Sequence, residues 1–484
     1  MLTYDEQLNP DQILSFFEKI SSIPRATGKE EAISNYVVSV VKELGLEFHQ
    51  DEYFNVIVKK PGTEGYENSD PVMIQGHLDM VAEKDGNSTH NFDTDPLELI
   101  IEGDILRARE TTLGADDGVA IAYGLALLSS TTIPHPPLEV IFTTEEETTM
   151  CGAEMLDGAL LTSNILLNID MSNEDMIVLG SAGGRDYTLS KDLRRKKPCT
   201  NFVPFKMEWS GLRGGHSGED IHRGRQNAII LAATFMKEIM KKLPIELVHV
   251  RGGNFSNAIP RECAVKFYTL KEYEPKLLEM LAELKENYTN AFGDTDLIPS
   301  ITLKQMATTD YPMVEEDAEE LLNLILAIPF GPAKFSKEVN GVVTLSNNLG
   351  VVYTGSKKAS FMGSCRGATD GLVENYYEKL CASFSSHHAI VDDVNAYPSW
   401  EYQDHSHLRE VASKAFYEVY GKAPIFEIVH AGLEVGHIAS KVKHLDAISI
   451  GPNTWDLHST HERLSLSSYV NSWNFLKNIL SKLG

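Results

Sequence analysis

Histidines and carboxylates recur in this chain in short polar runs that each follow an apolar, β-branched stretch. The run QGHLDM puts His77 and Asp79 just after residues 72–75. In an extended segment side chains at i and i+2 face the same way, so Asp79 can border a metal or hold the imidazole and raise its basicity. The run TTLGADDG places Asp116 and Asp117 at a helix start. Such a pair serves either as ordinary helix caps or as a source of one bridging carboxylate, whose two oxygens reach two cations, with Gly114 and Gly118 permitting the turn. In TTEEETTMCGAE, Glu145, Glu146 and Glu147 follow the apolar run 138–143. Their mutual repulsion is unfavourable unless cations or shared protons offset it, and one can ligate a metal while a neighbour takes a proton from water. Asp170 ends an apolar run in LLNIDMS, and His461 lies in WDLHSTHERLS, with His458 three residues earlier. Two histidines and three carboxylates satisfy two zinc ions, each with an imidazole, a terminal carboxylate and a share of a bridging one, leaving a position for water. No GxSxG, HExxH or GxGxxG competes with this constellation.

The elements that must position these side chains follow from periodicity. Helical spacing predicts helices from Asn9 to before Pro24 and over 30–44, the latter closing at Gly45. Strands are expected at 55–58, 72–75, 138–143 and 165–169, with a helix over 118–129. This alternation predicts an α/β domain with a mixed, largely parallel sheet flanked by helices, and its strand ends are where such sheets place ligands. The stretch 182–397 reads as an inserted α+β domain with helices over 273–287 and 315–326. Segments 206–304 and 315–396 within it suggest two half-repeats. From 398 a helix (406–420), strand (425–430), helix (432–440), strand (446–450) and final helix from Ser467 return to the first pattern. The expected division is therefore 1–181 and 398–484 for one catalytic domain, and 182–397 for the insertion.

Composition narrows the function classes. With 43 basic and 69 acidic residues among 484, the formal charge of −26 repels nucleic acid and anionic membranes. No run approaches the about 18 apolar residues of a spanning helix, and the N-terminus does not read as a secretory signal. Five widely spaced cysteines without a CxxC pair argue for free thiols, a reducing cytoplasmic setting and no thiolate zinc site.

Taken in order, GHLDM, GADDG, EEE, ID and HERLS resemble the motifs of the co-catalytic zinc exopeptidases that include carboxypeptidase G, the acetylornithine deacetylases and the carnosinases. Within that group the chain is most similar to the aminoacyl-histidine dipeptidases, through IPRATGKEE at 23–31, SAGG at 181–184, GGHSG at 214–218, SNAIPRE at 256–262 and HAGLE at 430–434. The resemblance implies that His77 and Asp170 hold one zinc, that Glu147 and His461 hold the other, and that Asp116 bridges them. It makes Glu146 the general base and Asp79 the residue that orients His77. It implies that the insertion is a lid, with His216 and Asn257 polarising the scissile carbonyl and Arg366 gripping the substrate carboxylate. Gly432 and Glu434 would border the pocket, with Glu434 meeting the peptide's amino terminus. Manganese or cobalt can occupy similar ligands. The lid's length suggests that its second half substitutes for a neighbour's lid, leaving a monomer or a homodimer. The expected activity is hydrolysis of dipeptides and other short peptides, Xaa-His types above all. Deacylation of N-acyl amino acids on the same metal site is the alternative, and a catalytically silent peptide-binding protein the remote one.

Overall fold

The computed structural model describes residues 4–307, 310–337 and 341–484. It divides into two units: one runs to Gly180 and resumes over Tyr402–Ile428 and Leu433–Gly484, and the other comprises Ser181–Glu401 and Val429–Gly432.

The first unit is built on an eight-stranded sheet among the described residues. Its order is Glu47–Gln50, Val56–Lys60, Leu138–Thr143, Val72–His77, Ile165–Asn168, Asp446–Ser449, Met176–Ser181 and Ile425–Val429. The sheet is mixed, and its parallel pairings join the four strands from Leu138–Thr143 to Asp446–Ser449. Val72–His77 is buried along its whole length, which is why it opens with consecutive apolar residues, Val72, Met73 and Ile74, rather than alternating. The helix Ala115–Ser129 is apolar nearly all round and buried accordingly. Strand and helix approach so closely at Gly76 that a Cβ there would lie 2.1 Å from the Ala120 Cβ and 2.2 Å from an Asp117 carboxylate oxygen. Tyr123 of this helix stacks on Tyr469 of the terminal helix Leu466–Lys482, with ring centres 5.0 Å apart.

The expected helix ends are close to those observed. Glu31–Leu44 closes at Gly45 in the left-handed conformation, and His407–Tyr420 closes the same way at Gly421. Periodicity did not reveal a separate four-stranded sheet, ordered Thr454–Trp455, Arg463–Ser465, Ile105–Ala108 and Leu99–Glu102. Its strands run only two to four residues, too short to show alternation.

The second unit carries a nine-stranded sheet among the described residues. Phe202–Ser210, Ala228–Met240, Glu246–Gly252, Cys263–Leu270, Glu274–Phe292 and Ser300–Gln305 form a βαββαβ block. Gly183–Asp192, Glu315–Ala327, Val343–Thr354, Lys358–Gly367, Asp370–Ser386 and Ile390–Tyr397 form another in the same order. Each block arranges its strands fourth, first, third, second, and the two second strands meet where Arg251 pairs with Tyr353 and Gly252 with Val352. The first block thus interrupts the second after its opening strand. All five cysteines are free thiols, and no helix among the described residues is long and apolar enough to cross a membrane.

Candidate metal centre and active site

Parallel pairing sets His77 directly beside Thr143, so the HLD turn and the EEE run emerge from neighbouring strand ends. His77 is wholly buried. Its Nε2 lies 2.9 Å from Asp116 Oδ1 and 3.9 Å from Asp170 Oδ1, while its Nδ1 faces Asp79 Oδ1 at 3.3 Å. Burial alone would push the imidazole down, but Asp116 and Asp79 overcome it and hold the ring well above its ordinary range. Asp79 is itself fixed. It accepts the backbone N–H groups of Glu146 and Glu147 at 3.1 and 3.2 Å and the Thr27 hydroxyl at 3.0 Å. The residue that orients His77 therefore also anchors the turn carrying the glutamates.

Asp116 uses its two oxygens in two directions. Oδ1 meets His77, and Oδ2 lies 3.3 Å from His458 Nε2, which is also 3.0 Å from Glu147 Oε2. Two donor groups result, His77–Asp116–Asp170 and Asp116–Glu147–His458, and a third joins His77 to Glu146 and Glu147. Asp116 and Asp117 have non-helical dihedrals within the first turn of their helix. Asp117 turns inward, away from these groups, and accepts the N–H groups of His77 at 3.3 Å and Ala120 at 3.1 Å.

The structure puts His458 where the sequence reading put His461. The His461 ring belongs to none of the three donor groups and is exposed. The reason lies in the hairpin between Thr454–Trp455 and Arg463–Ser465, whose loop takes left-handed dihedrals at Asp456 (φ 55°) and His458 (φ 58°). Two histidines in one loop are chemically equivalent in a sequence, and only the turn separates them.

Charge in this pocket is lopsided. Burial pushes Asp117, Asp170 and Glu146 well above the usual carboxylate range, with neighbouring carboxylates adding to it at each. Burial and then Asp116 raise Glu147, whose Oε1 has no hydrogen-bond partner. Asp116 and Glu147 push His458 up to about 11. A set of oxygen and imidazole donors, largely buried apart from the half-exposed His458, short of positive charge and with an orphaned carboxylate oxygen, fits divalent cations.

Sequence reading missed two further charged residues here. Arg25, 2 % exposed, donates to the carbonyl oxygens of Leu78 at 3.0 Å, Asp79 at 2.7 Å and Gly114. Glu462 accepts the N–H groups of Leu113, Gly114 and Ala115 at 2.8, 3.1 and 2.8 Å. Both stand inside quoted runs, Arg25 in IPRATGKEE and Glu462 in HERLS, but a charged residue that spends itself on backbone shows no partner in the sequence. The one available signal was Glu462 lying four residues after His458.

Glu434 lies in the first unit and is fully buried. Its Oε2 accepts from Gln75 Nε2 and Thr143 Oγ1, both at 2.6 Å, while its Oε1 has no hydrogen-bond partner. Burial raises it to about 7. The other substrate-site candidates fall in the second unit. The strand pair Gly215–His216 and Ala258–Ile259 brings His216 beside the loop of Asn257, whose carbonyl accepts from Ser217 N at 2.8 Å. Asn348 Nδ2 holds that loop through the carbonyls of Ser256 and Ala258. Arg366 is 6 % exposed and donates to the Tyr397 hydroxyl at 2.6 Å, but it makes no ion pair with a carboxylate among the described residues. Gly432 ends the short segment in which His430 Nε2 meets Ser346 Oγ at 2.8 Å.

The profile of peptidase family M20/M25/M40 matches residues 73–482. Over 477 residues the chain is 32% identical to the cytosol non-specific dipeptidase of Escherichia coli (strain K12), covering 99% of this chain and 98% of that protein. The solved aminoacylhistidine dipeptidase from Vibrio alginolyticus matches with a TM-score of 0.85 at 33% identity, over 97% of this chain and 96% of the other. Human carnosine dipeptidase 1 shares the fold, with a TM-score of 0.51 at 12% identity over 99% of this chain and 98% of the other.

Proposed function

The chain belongs to peptidase family M20/M25/M40, and on that premise we propose that it is a two-metal dipeptidase cleaving free dipeptides and other short peptides, Xaa-His types among them. Asp116 carries this reading, because one carboxylate presents its two oxygens to imidazoles of two separate donor groups. His77, Asp170 and Asp116 would hold one ion, and Asp116, Glu147 and His458 the other. Zinc suits these donors, and manganese or cobalt can take them too. Bound cations would polarise the scissile carbonyl and make water a stronger acid.

The chain's own groups do the rest. Glu146 sits beside the donors with its carboxyl raised by burial, so it retains the proton affinity needed to take a proton from the attacking water and return it to the leaving amine. Asp79 keeps the His77 ring oriented. In the second unit Arg366 is a desolvated guanidinium suited to a substrate carboxylate, and His216 and Asn257 are the candidate donors to a developing oxyanion. In the first, the unpartnered Glu434 oxygen suits a free α-ammonium. The enzyme is assigned to the cytoplasm, with no nucleic-acid or membrane partner, and acts as a monomer or a homodimer.

The test is hydrolysis of β-Ala-His, Gly-Gly, Leu-Leu and an N-acetyl amino acid by metal-loaded enzyme, with Glu146→Ala as control. Cleavage of free dipeptides that disappears in the control supports the proposal. Cleavage of the acetylated compound alone replaces it with a deacylase.

A further inference from the structure

The loop Leu113–Asp116 delivers the bridging carboxylate, yet it has no strand or helix partner of its own for its first three N–H groups. Glu462 supplies that partner with both oxygens, Oε2 to Leu113 and Gly114 and Oε1 to Ala115 and, at 3.5 Å, Asp116. From its own side the Arg25 guanidinium donates from Nη2 to Gly114 O, while Nη1 donates to Leu78 O and Asp79 O. The fit is tight: a Cβ on Gly114, whose φ is +65°, would lie 2.6 Å from Arg25 Nη2 and 2.8 Å from Met80 Sδ. Both charged groups are buried, at 2 % and 3 % exposure, and neither spends its hydrogen bonds on the other or on a donor side chain.

We propose that Arg25 and Glu462 are positioning residues that hold the bridging loop between them, and that Glu462 supports the His458 cation site more than the His77 site while Arg25 serves both. This rests on the two-metal reading above. The asymmetry follows from connectivity. Glu462 lies four residues beyond His458 in the same hairpin loop and also holds the loop of Asp116, so two of the three donors of the Asp116–Glu147–His458 group depend on it. The His77 group has its own supports, since Asp117 receives the His77 N–H and Asp79 faces its ring. Arg25 grips the backbone of the His77–Asp79 turn and of the Asp116 loop at once.

Glu462→Gln preserves size and one acceptor oxygen but replaces the other with an amide that cannot receive N–H groups. Outer partners of metal ligands typically govern affinity by about 10–100-fold. Because Asp116 is shared by both groups, titration of metal-free protein with Zn2+ against a competing chelator should show, in Glu462→Gln, one step weakened by about 10–100-fold and the other weakened clearly less. Arg25→Met should weaken both steps. Near-ultraviolet dichroism and the thermal midpoint of the metal-free proteins report folding separately, and Glu462→Asp, which keeps two oxygens but shortens their reach, is titrated if the amide variant does not fold. Two parental steps in a folded Glu462 variant overturn the proposal, as does equal weakening of both steps, which a merely structural role would give. A parent protein that binds fewer than two ions refutes the two-metal reading itself.

Discussion

The first unit gathers Asp116, Asp170, Glu146 and Glu147 around two imidazoles; burial and neighbouring carboxylates raise the last three, while His458 and His77 overcome burial and hold Asp116 well below the usual carboxylate range. The second buries the Arg366 guanidinium against a tyrosine hydroxyl with no carboxylate beside it among the described residues. One unit is short of cations and the other short of an anion. Isolated buried charge is costly, and removing a partner from a buried pair typically destabilises by about 3–5 kcal/mol. Each region therefore holds an unfavourable charge state that a ligand of opposite sign would relieve.

The sharpest way to break this comparison is Glu146→Gln. Loss of a proton carrier should lower kcat by about 10²–10⁴-fold, while removal of a buried carboxyl raises the thermal midpoint of the metal-free protein. A lower midpoint with retained turnover would mean that the pocket's acidity is structural. Next is the hairpin loop: His458→Ala should lower metal retention after dialysis, and turnover with it, by more than the roughly 100-fold typical of outer partners. His461→Ala should leave both within about twofold of the parent, as an exposed substitution outside the donor groups does. The opposite result would restore His461 as the ligand. For the second unit, Arg366→Met should raise KM for free dipeptides by about 30-fold or more, corresponding to the 2 kcal/mol lower bound for losing one side of a buried charged contact. It should spare a C-terminally amidated substrate and stabilise the ligand-free protein.

The smallest effect concerns pH. His430 is held down at about 3, by burial first and then by Arg366 and His222. A base with a lowered folded pKa contributes its full stability above the unfolded value of about 6.5 and loses it as pH falls towards the folded value. Between those limits the parent should lose up to about 1.4 kcal/mol per pH unit more than His430→Gln does, measured by denaturant unfolding at stepped pH. Parallel curves would remove His430 from the second unit's positive side.

What could be read without coordinates follows a physical division. His77, Asp79, Glu146, Glu147 and Asp170 stood out because each lies at or just beyond the end of a buried apolar run, and Asp116 because it opens an apolar helix, where local pattern and location coincide. The choice between His458 and His461 depended on two left-handed residues in a loop, which no periodicity encodes. Arg25 and Glu462 bind backbone from far along the chain, with Glu462 reaching Leu113 across 349 positions, so no local window contains the interaction. In the second unit, Ala228–Met240 and Asp370–Ser386 were not delimited, whereas the two helices expected over 273–287 and 315–326 were clear from amphipathic spacing. Its nested order was not, because Gly183–Asp192 pairs with Lys358–Gly367 and Ile390–Tyr397, with the whole of the other block lying between them in sequence.

The strand Asp446–Ser449 occupies the middle of the first unit's sheet, parallel to Ile165–Asn168 and antiparallel to Met176–Ser181. Its Ser449 hydroxyl meets Asn168 across 281 positions of chain. On a translating ribosome, which adds about 5–20 residues each second, that slot stays vacant for roughly 15–60 s after its neighbours have been made. The hairpin bearing His458 arrives later still. A nascent chain can therefore assemble most of the acidic pocket before the His458 imidazole joins it, and the open slot is the place where a chaperone or a stray strand would compete.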